Sequence, residues 1–291
     1  LTRLLFSANY TGAMSTSSQV RREKKVNAFF ARHAVFTVEE LGRFLASRGS
    51  ANVNTRKSLL TYHKNRGRVV PVRRGLYATV PEGADPATFP VDPFLVAAKL
   101  ADDAVLAYHT ALEFHGKAHS VHTKLRYVSA KRSLPLRFQS HDYERAPVPN
   151  GLLARKAEMT GVVRRKISGV ELRVAGLERT LVDVLDRPDL SGSWEEIWRS
   201  LESVEFFDLD SVAEYVRLLD NATTAAKVGF FLERHKETLM VEASHLAPLR
   251  EMRPKQPHYL ERGKRKGGRW IKAWNLIVPD EILNKSWEGD S

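Results

Sequence analysis

The stretch FTVEELGRFLASRGSANVNTRKSLLTYHKNRGRVVPVRRGLYAT, Phe36 to Thr79, decides how the rest of the chain is read. Thr37 starts a helix: its hydroxyl is placed to accept from a backbone N–H of the first turn, and Glu40 can reach back, forming a capping box. Val38, Leu41, Phe44 and Leu45 recur at helical spacing and give that helix one apolar face. Gly49 closes it. Asn52 or Asn54 then caps a second helix, from Thr55 to Arg66, with Leu59 and Leu60 as its buried pair and Gly67 at its end. Two β-type runs follow, Val69 to Val72 and Leu76 to Thr79, joined by Arg73-Arg74-Gly75 with glycine supplying the turn.

Helix, turn, helix and basic hairpin is the order of a winged helix-turn-helix, whose second helix enters the major groove of duplex DNA. At about 100° per residue, Leu59 and Leu60 fix the inward direction and leave His63 and Arg56 near that side. Lys57, Ser58, Thr61 and Asn65 then point outward, with Thr55, Tyr62 and Lys64 on the flanks and Asn54 at the helix start. Such side chains contact base edges and phosphates, and no carboxylate lies among them. Arg56 joins the candidate DNA-binding set, and Arg73, Arg74 and Tyr77 extend it onto the hairpin. The competing reading is an ordinary helical hairpin with a solvated basic face.

Charge distribution favours DNA. The chain of 291 residues has a formal net charge of +12. Residues 1–80 hold 15 Lys and Arg against three acids, Glu23, Glu39 and Glu40, so the whole excess sits there and the remainder is balanced. A basic module of this kind supplies the counterion-release contribution that dominates sequence-independent affinity. A basic membrane-surface helix would need bulky apolar residues exposed beside the charges, and here those residues are needed for the helical core.

The absence of cysteine excludes disulfides and thiolate metal sites, and suits a cytoplasmic setting. No apolar run of about 18 residues is present, so no membrane partner is expected. Residues 1–17 are expected to be disordered or an extension. Residues 18–80 form the DNA-binding domain, opened by a helix from Gln19 to His33 with Val26, Phe29 and Phe30 as its packing stripe. Residues 81–93, rich in proline, read as a linker.

Residues 94–285 read as a larger mixed α/β domain with several C-terminal helices, giving an α+β fold overall. Helices are expected at Phe94–Leu100 and Tyr108–His115, and strands at Leu125–Ser129 and Leu136–Gln139. A hairpin from Gly161 to Val174 turns at Ser168-Gly169. Helices follow at Leu177–Leu185, Ser193–Val204, Ser211–Leu219 capped by Asp210, and Ala222–Leu239. A final strand pair lies in Trp270–Val278. The span Glu178–Asp220 carries 12 acids against four arginines, whereas Arg250–Lys272 carries nine basic residues against two acids. Solvated helix faces and a surface loop explain both equally well as a docking role, in which the acidic helices hold a basic partner and Lys264, Arg265, Lys266 and Arg269 form a second basic patch.

Catalytic chemistry has little purchase. Five of the ten histidines lie between His109 and His141, and His115-x3-His119 has zinc-ligand spacing, but Gly116 breaks the helix between them. Gly192-Ser193 followed by Asp208 and Asp210 resembles the start of a nucleotidyltransferase site, yet Asp210 reads as a helix cap and no third carboxylate strand is evident. No phosphate loop or nucleophile elbow is present. No catalytic residue, metal ligand or cofactor is therefore assigned.

The hairpin VVPVRRGLYAT, the string YHTALEFHG from Tyr108, GLERTLVDVLDRP from Gly176 and YVRLLDNATTAAKVGFFLE from Tyr215 are weak singly and specific in their order. Together they resemble AbiEi-type antitoxins of the abortive-infection, type IV toxin–antitoxin systems, over most of residues 18–280. The resemblance implies a non-catalytic protein whose winged-helix head binds inverted repeats in its own promoter and represses it. Its second domain would counter a nucleotidyltransferase-like toxin. Arg73, Arg74, Gly75 and Tyr77 carry over at the hairpin, and Arg179, Thr180 and Asp183 in the second domain; Arg179 and Asp183, four residues apart, are read as a structural pair on one helix face. A monomer in solution that binds DNA cooperatively is expected. The alternative is a DNA-binding enzyme, a nuclease or nucleotidyltransferase, with a metal site in the second domain.

Overall fold

A computed structural model describes residues 26–49, 52–261 and 267–285. It divides into two compact units, one reaching to Lys99 and including Lys166–Val170, the other comprising Leu100–Arg165 and Glu171 onward. The first unit begins with helical residues 26–30, followed by β1 (Val35–Thr37), α1 (Val38–Ala46), α2 (Val53–Asn65), β2 (Val69–Arg73) and β3 (Leu76–Thr79). The three strands form an antiparallel sheet in the order β1-β3-β2. Residues 19–25 of the expected first helix, and the expected extension 1–17, lie outside the described residues.

Local sequence signals explain most of these elements. The Thr37 hydroxyl accepts from the Glu40 N–H at 3.2 Å, and Glu40 Oε2 accepts from the Thr37 N–H at 2.9 Å, completing the capping box that starts α1. Asn52, and not Asn54, caps α2, with its Oδ1 accepting from the Asn54 N–H at 2.8 Å. Val26, Phe29, Phe30, Phe36, Leu41, Leu45, Leu60 and Val69 close one apolar core. β1 was not expected: Val35 and Phe36 pair with β3, which buries both side chains fully.

The boundary between units falls later than the expected linker. α3 (Pro93–Ala98), capped by Asp92, belongs to the first unit. Its Leu95, Val96 and Ala97 are buried, and the following Lys99 pairs with Glu40 of α1. These contacts make the proline-rich stretch an internal connection and not a domain border. In the same unit the Ala34 N–H donates to Ser168 O at 3.1 Å, and a Cβ on Gly169 would lie 1.7 Å from Arg32 O. Only glycine fits that approach.

The second unit is α+β, as expected. Its strands are β4 (Val105–Leu106), β5 (Lys124–Val128), β6 (Leu136–Phe138), β7 (His141–Ala146), β8 (Val162–Ile167) and β9 (Val170–Ala175), except that the tip of the β8–β9 hairpin, Lys166–Val170, belongs with the first unit. They form a mixed sheet in the order β6-β7-β5-β4-β9-β8, with β5–β7 and β4–β9 parallel. The β8–β9 turn is Ser168-Gly169, both at positive φ, a geometry that two-residue hairpins favour. α4 (His109–Phe114) and α5 (Asn150–Arg155) lie between strands.

A helical layer follows: α6 (Leu177–Asp186), α7 (Trp194–Glu202), α8 (Leu209–Leu219), α9 (Ala222–Arg234) and α10 (Ala243–Met252). α6 packs on α8 and α9, and α9 on α10. β10 (His258–Tyr259), β11 (Arg269–Ile271) and β12 (Leu276–Val278) make a small sheet, with α11 (Asp280–Leu283) after it. Two expectations need correction. α8 is capped by Asp208, whose Oδ1 accepts from the Asp210 and Ser211 N–H groups, so Asp210 lies inside the helix. α9 ends at Arg234, where His235 leaves helical geometry, and not at Leu239.

The internal pair read from GLERTLVDVLDRP is present. Arg179 Nε donates to Asp183 Oδ2 at 3.2 Å, and the Tyr215 hydroxyl donates to Asp183 Oδ1 at 2.8 Å. Arg179 Nη1 also reaches the carbonyls of Glu158 and Thr160 at 2.8 and 3.0 Å. Burial acts against the Arg179 charge, but Asp183 outweighs it and holds the guanidinium firmly protonated. Thr180 donates through its hydroxyl to Ala175 O at 3.3 Å.

Candidate nucleic-acid interface

α2 divides as its spacing predicts. Leu60 and His63 are buried and Leu59 packs against the core from a partly buried position; the His63 ring meets Phe30 edge-on at 4.9 Å. Lys57, Ser58, Thr61 and Asn65 are all exposed, as are Asn54, Tyr62 and Lys64. Thr55 is half-buried. Arg66 lies over the Tyr62 ring at 4.6 Å, a cation–π contact that holds the tyrosine against the helix end.

Arg56 and Tyr77 sit differently from the rest of the expected set. Arg56 is half-buried, and a Cβ on Gly42 of α1 would meet its Nη1 at 2.6 Å. Its side chain therefore fills the crossing of α1 and α2, which glycine at position 42 leaves open. Tyr77 stacks on Phe36 at 6.0 Å and packs against the core cluster. Both side chains belong first to packing.

The hairpin carries its basic residues on a defined turn. Arg73 pairs with Leu76, leaving Arg74-Gly75 as a two-residue loop, and a register shift separates Pro71 from Arg73. Gly75 has φ +84, which favours glycine, and its carbonyl accepts from the Val38 N–H at 2.9 Å. The turn thus ties directly to the first residue of α1. Arg74 is exposed and Arg73 half-buried. At the hairpin base, Arg68 Nη1 donates to Val80 O at 2.8 Å.

The acids nearest α2 come from α1, where Glu39 lines one cleft with Val53 and Arg56 at the start of α2. Glu39 and Glu40 lie in the first turn of α1. Burial would raise the Glu40 carboxyl, but Lys99 and the Thr37 N–H outweigh it and hold the group below its ordinary value. The Glu40 charge is thus balanced by Lys99, and no carboxylate lies on the exposed face of α2 itself.

The other sites weighed from sequence are taken up by structure. Asp208 Oδ2 accepts from the Ser211 hydroxyl at 2.7 Å, and the Ser211 contacts keep its carboxyl low, as suits a helix cap. Its two oxygens are thereby engaged on α8. His115 Nε2 lies 2.7 Å from Ala175 O, while His119 holds Ser200 Oγ through its backbone N–H at 2.9 Å; with φ +66 at Gly116 between them, they do not form the helical pair that the spacing allowed. Of the second basic patch, Lys264, Arg265 and Lys266 lie outside the described residues, and Arg269 faces Asp280 at 3.6 Å. Sequence reasoning missed one grouping: His109, His122 and Glu196 converge in the second unit. Glu196 lies 74 residues beyond His122, so no spacing in the sequence points to it.

Neither a family model nor a curated protein matches the sequence. Among solved structures, the chain is similar to the RV2827C protein from Mycobacterium tuberculosis, with a TM-score of 0.59 at 19% identity, over 91% of this chain and 94% of that one. The two share a fold. Among the described residues, no helix is long and apolar enough to cross a membrane.

Proposed function

We propose that the protein is a sequence-specific DNA-binding repressor that also serves as the antitoxin of a toxin–antitoxin system. The observation that carries the DNA reading is the exposed face of α2, where Lys57, Ser58, Thr61 and Asn65 stand clear of the core with no carboxylate among them. Lys57 and Asn65 read base edges in the major groove, and Arg74 on the hairpin turn contacts the phosphate backbone. The antitoxin role rests on the four ordered strings by which the chain resembles AbiEi-type antitoxins, and its partner is a nucleotidyltransferase-like toxin in the cytoplasm.

The test uses the full chain and duplex DNA from upstream of its own gene. A gel shift that weakens steeply as salt rises is expected. Lys57→Ala and Asn65→Ala should each reduce discrimination between operator and unrelated DNA by about 1–3 kcal/mol. Arg74→Ala should weaken both equally and lower the salt slope by roughly 0.9. Absence of any shift at low salt sinks the reading. For the second role, co-expression with the neighbouring gene should relieve its toxicity; a neighbour that is harmless, or toxic and unrelieved, removes the antitoxin half.

The rival reading, a DNA-acting enzyme with a metal site in the second unit, draws on the convergence of His109, His122 and Glu196. Metal-dependent nicking of plasmid DNA, lost in Glu196→Gln, would favour it.

A further inference from the structure

We propose that His109, His122 and Glu196 form a binding site for a divalent transition cation of the zinc class. His109 is the first residue of α4 and is 1% exposed. Its Nε2 lies 3.0 Å from the Ser120 carbonyl and 3.0 Å from Glu113 Oε1. Both neighbours are acceptors, which assigns the ring proton to Nε2 and leaves Nδ1 with a bare lone pair. That Nδ1 is buried and has no hydrogen-bond partner. An unmet buried acceptor costs free energy and calls for an explanation. It faces Glu196 Oε1 at 3.6 Å, too far for a hydrogen bond, with no proton to share between a lone pair and a carboxylate.

The second imidazole completes the arrangement. His122 Nε2 is 2.8 Å from the same Glu196 oxygen, and its ring stacks on His109 with centroids 3.6 Å apart. One ring nitrogen from each of His109 and His122 and a Glu196 carboxylate oxygen all fall within 4.8 Å of one another. Bonds of ~2.0 Å in tetrahedral geometry place ligand atoms roughly 3.3 Å apart. The two distances to Glu196, 2.8 and 3.6 Å, bracket that value, but the two rings lie face to face, so an ion binds once the half-exposed His122 ring swings off His109 and turns its Nε2 lone pair inward. Two imidazole nitrogens and one carboxylate select zinc over magnesium or calcium, which prefer oxygen. Three protein ligands leave a fourth position for water.

The surroundings are built for ligation. Glu113 holds Nε2 of His109 and also accepts from the His122 N–H at 2.6 Å, fixing one ring and the backbone of the other. A carboxylate behind a metal-binding histidine is a recurrent outer-shell feature that sets its tautomer and raises its basicity. The Ser120 hydroxyl hydrogen-bonds to Glu196 Oε1. The His122 side chain is 31% exposed and provides the entry path. The ligands come from the start of α4, the connection before β5 and the first turn of α7. A bound ion would fasten residues 116–123 onto α7, where the Lys117 carbonyl already accepts from the Ser203 hydroxyl at 3.1 Å.

The site is independent of the DNA and toxin readings, and the test uses neither activity. Full-length, tag-free protein is stripped with a chelator and titrated with Zn2+ against a chromogenic competitor. One Zn2+ per chain is expected, unaffected by excess Mg2+, with a rise in Tm and visible Co2+ bands of a tetrahedral site. His122→Gln and Glu196→Gln should each weaken Zn2+ binding more than tenfold, and Glu113→Gln by about 10–100-fold. If a variant does not fold, imidazole NMR on the unaltered chain reads the same site: the His109 and His122 ring signals shift on addition of Zn2+ and those of His33 do not. Zn2+ that leaves both ring signals in place, or binds with undiminished affinity to the folded Gln variants, overturns the proposal. Such a result would make the cluster a hydrogen-bonded histidine–carboxylate network only.

Discussion

Replacing Asp183 by alanine isolates the buried charge at the centre of the helical layer. Arg179 and Asp183 are 1% and 2% exposed, and Asp183 receives both the guanidinium and the Tyr215 hydroxyl. The substitution leaves the Arg179 charge buried with only the carbonyls of Glu158 and Thr160 as acceptors, and it strands the Tyr215 hydroxyl. Breaking one side of a buried pair costs about 3–5 kcal/mol. For a unit of this size, each kcal/mol lowers Tm by about 2–4 °C, so a fall of roughly 10 °C is expected. The double substitution Arg179→Met, Asp183→Leu removes both charges and should lose less than Asp183→Ala alone, because no ion is left without a counter-charge. Thermal melts of the three proteins decide the matter. A Tm for Asp183→Ala within two degrees of the parent, or a double variant worse than Asp183→Ala, would refute the structural role of the pair.

Thr37→Ala should lower the stability of the first unit by about 0.5–2 kcal/mol in chemical denaturation, since it removes the capping oxygen of α1. Gly75→Ala should cost roughly 1–2 kcal/mol through its φ of +84 and weaken DNA binding, because the same turn holds Val38. Lys99→Met should destabilise the protein at neutral pH, with the deficit shrinking on acidification. The Glu40 pKa is lowered in the folded state, so its contribution is full above the ordinary value of 4.5 and is lost as pH falls through the folded one. Parallel melts at pH 7 and pH 3 measure it; a deficit equal at both refutes the role of the ion pair.

How much of this was legible in the sequence depends on range. The Thr37–Glu40 box, the Asn52 cap, the Gly75 turn and the Ser168-Gly169 hairpin each follow from a few neighbouring residues. The outward face of α2 was readable for the same reason, since two leucines fix a helix's orientation. β1, β7 and the sheet order were not. Val35-Phe36-Thr37 is too short to announce a strand, and β7 buries only Tyr143 and Ala146. α10 escaped notice because Pro248 lies inside it, where proline normally argues against a helix. The side chain of Arg56 was misassigned in part because its place depends on Gly42, a residue on another helix. The His109, His122 and Glu196 cluster is the extreme case: three elements must fold before its ligands meet, and no local spacing encodes that.

The acidity of residues 178–220 shows what structure adds to a charge count. Asp183 is internal, Asp186 accepts from Asn221 and Thr224, Asp208 caps α8, and Asp189, Glu195 and Asp220 pair with Arg187, Arg199 and Arg155. Glu196 and Glu202 face histidines. Most of the carboxylates are therefore engaged within the fold. Glu205, Asp210 and Glu214 differ: all three are exposed and make no ion pair among the described residues, and Phe206 beside them is 64% exposed. If a basic toxin surface docks on these helices, it must do so through such groups, and their removal should cost little stability. The triple change Glu205→Lys, Asp210→Lys, Glu214→Lys should abolish relief of toxicity in co-expression while leaving the operator gel shift and the Tm nearly unaltered. Relief that survives the reversal places the toxin contact elsewhere and leaves the acidic span as a solvated surface.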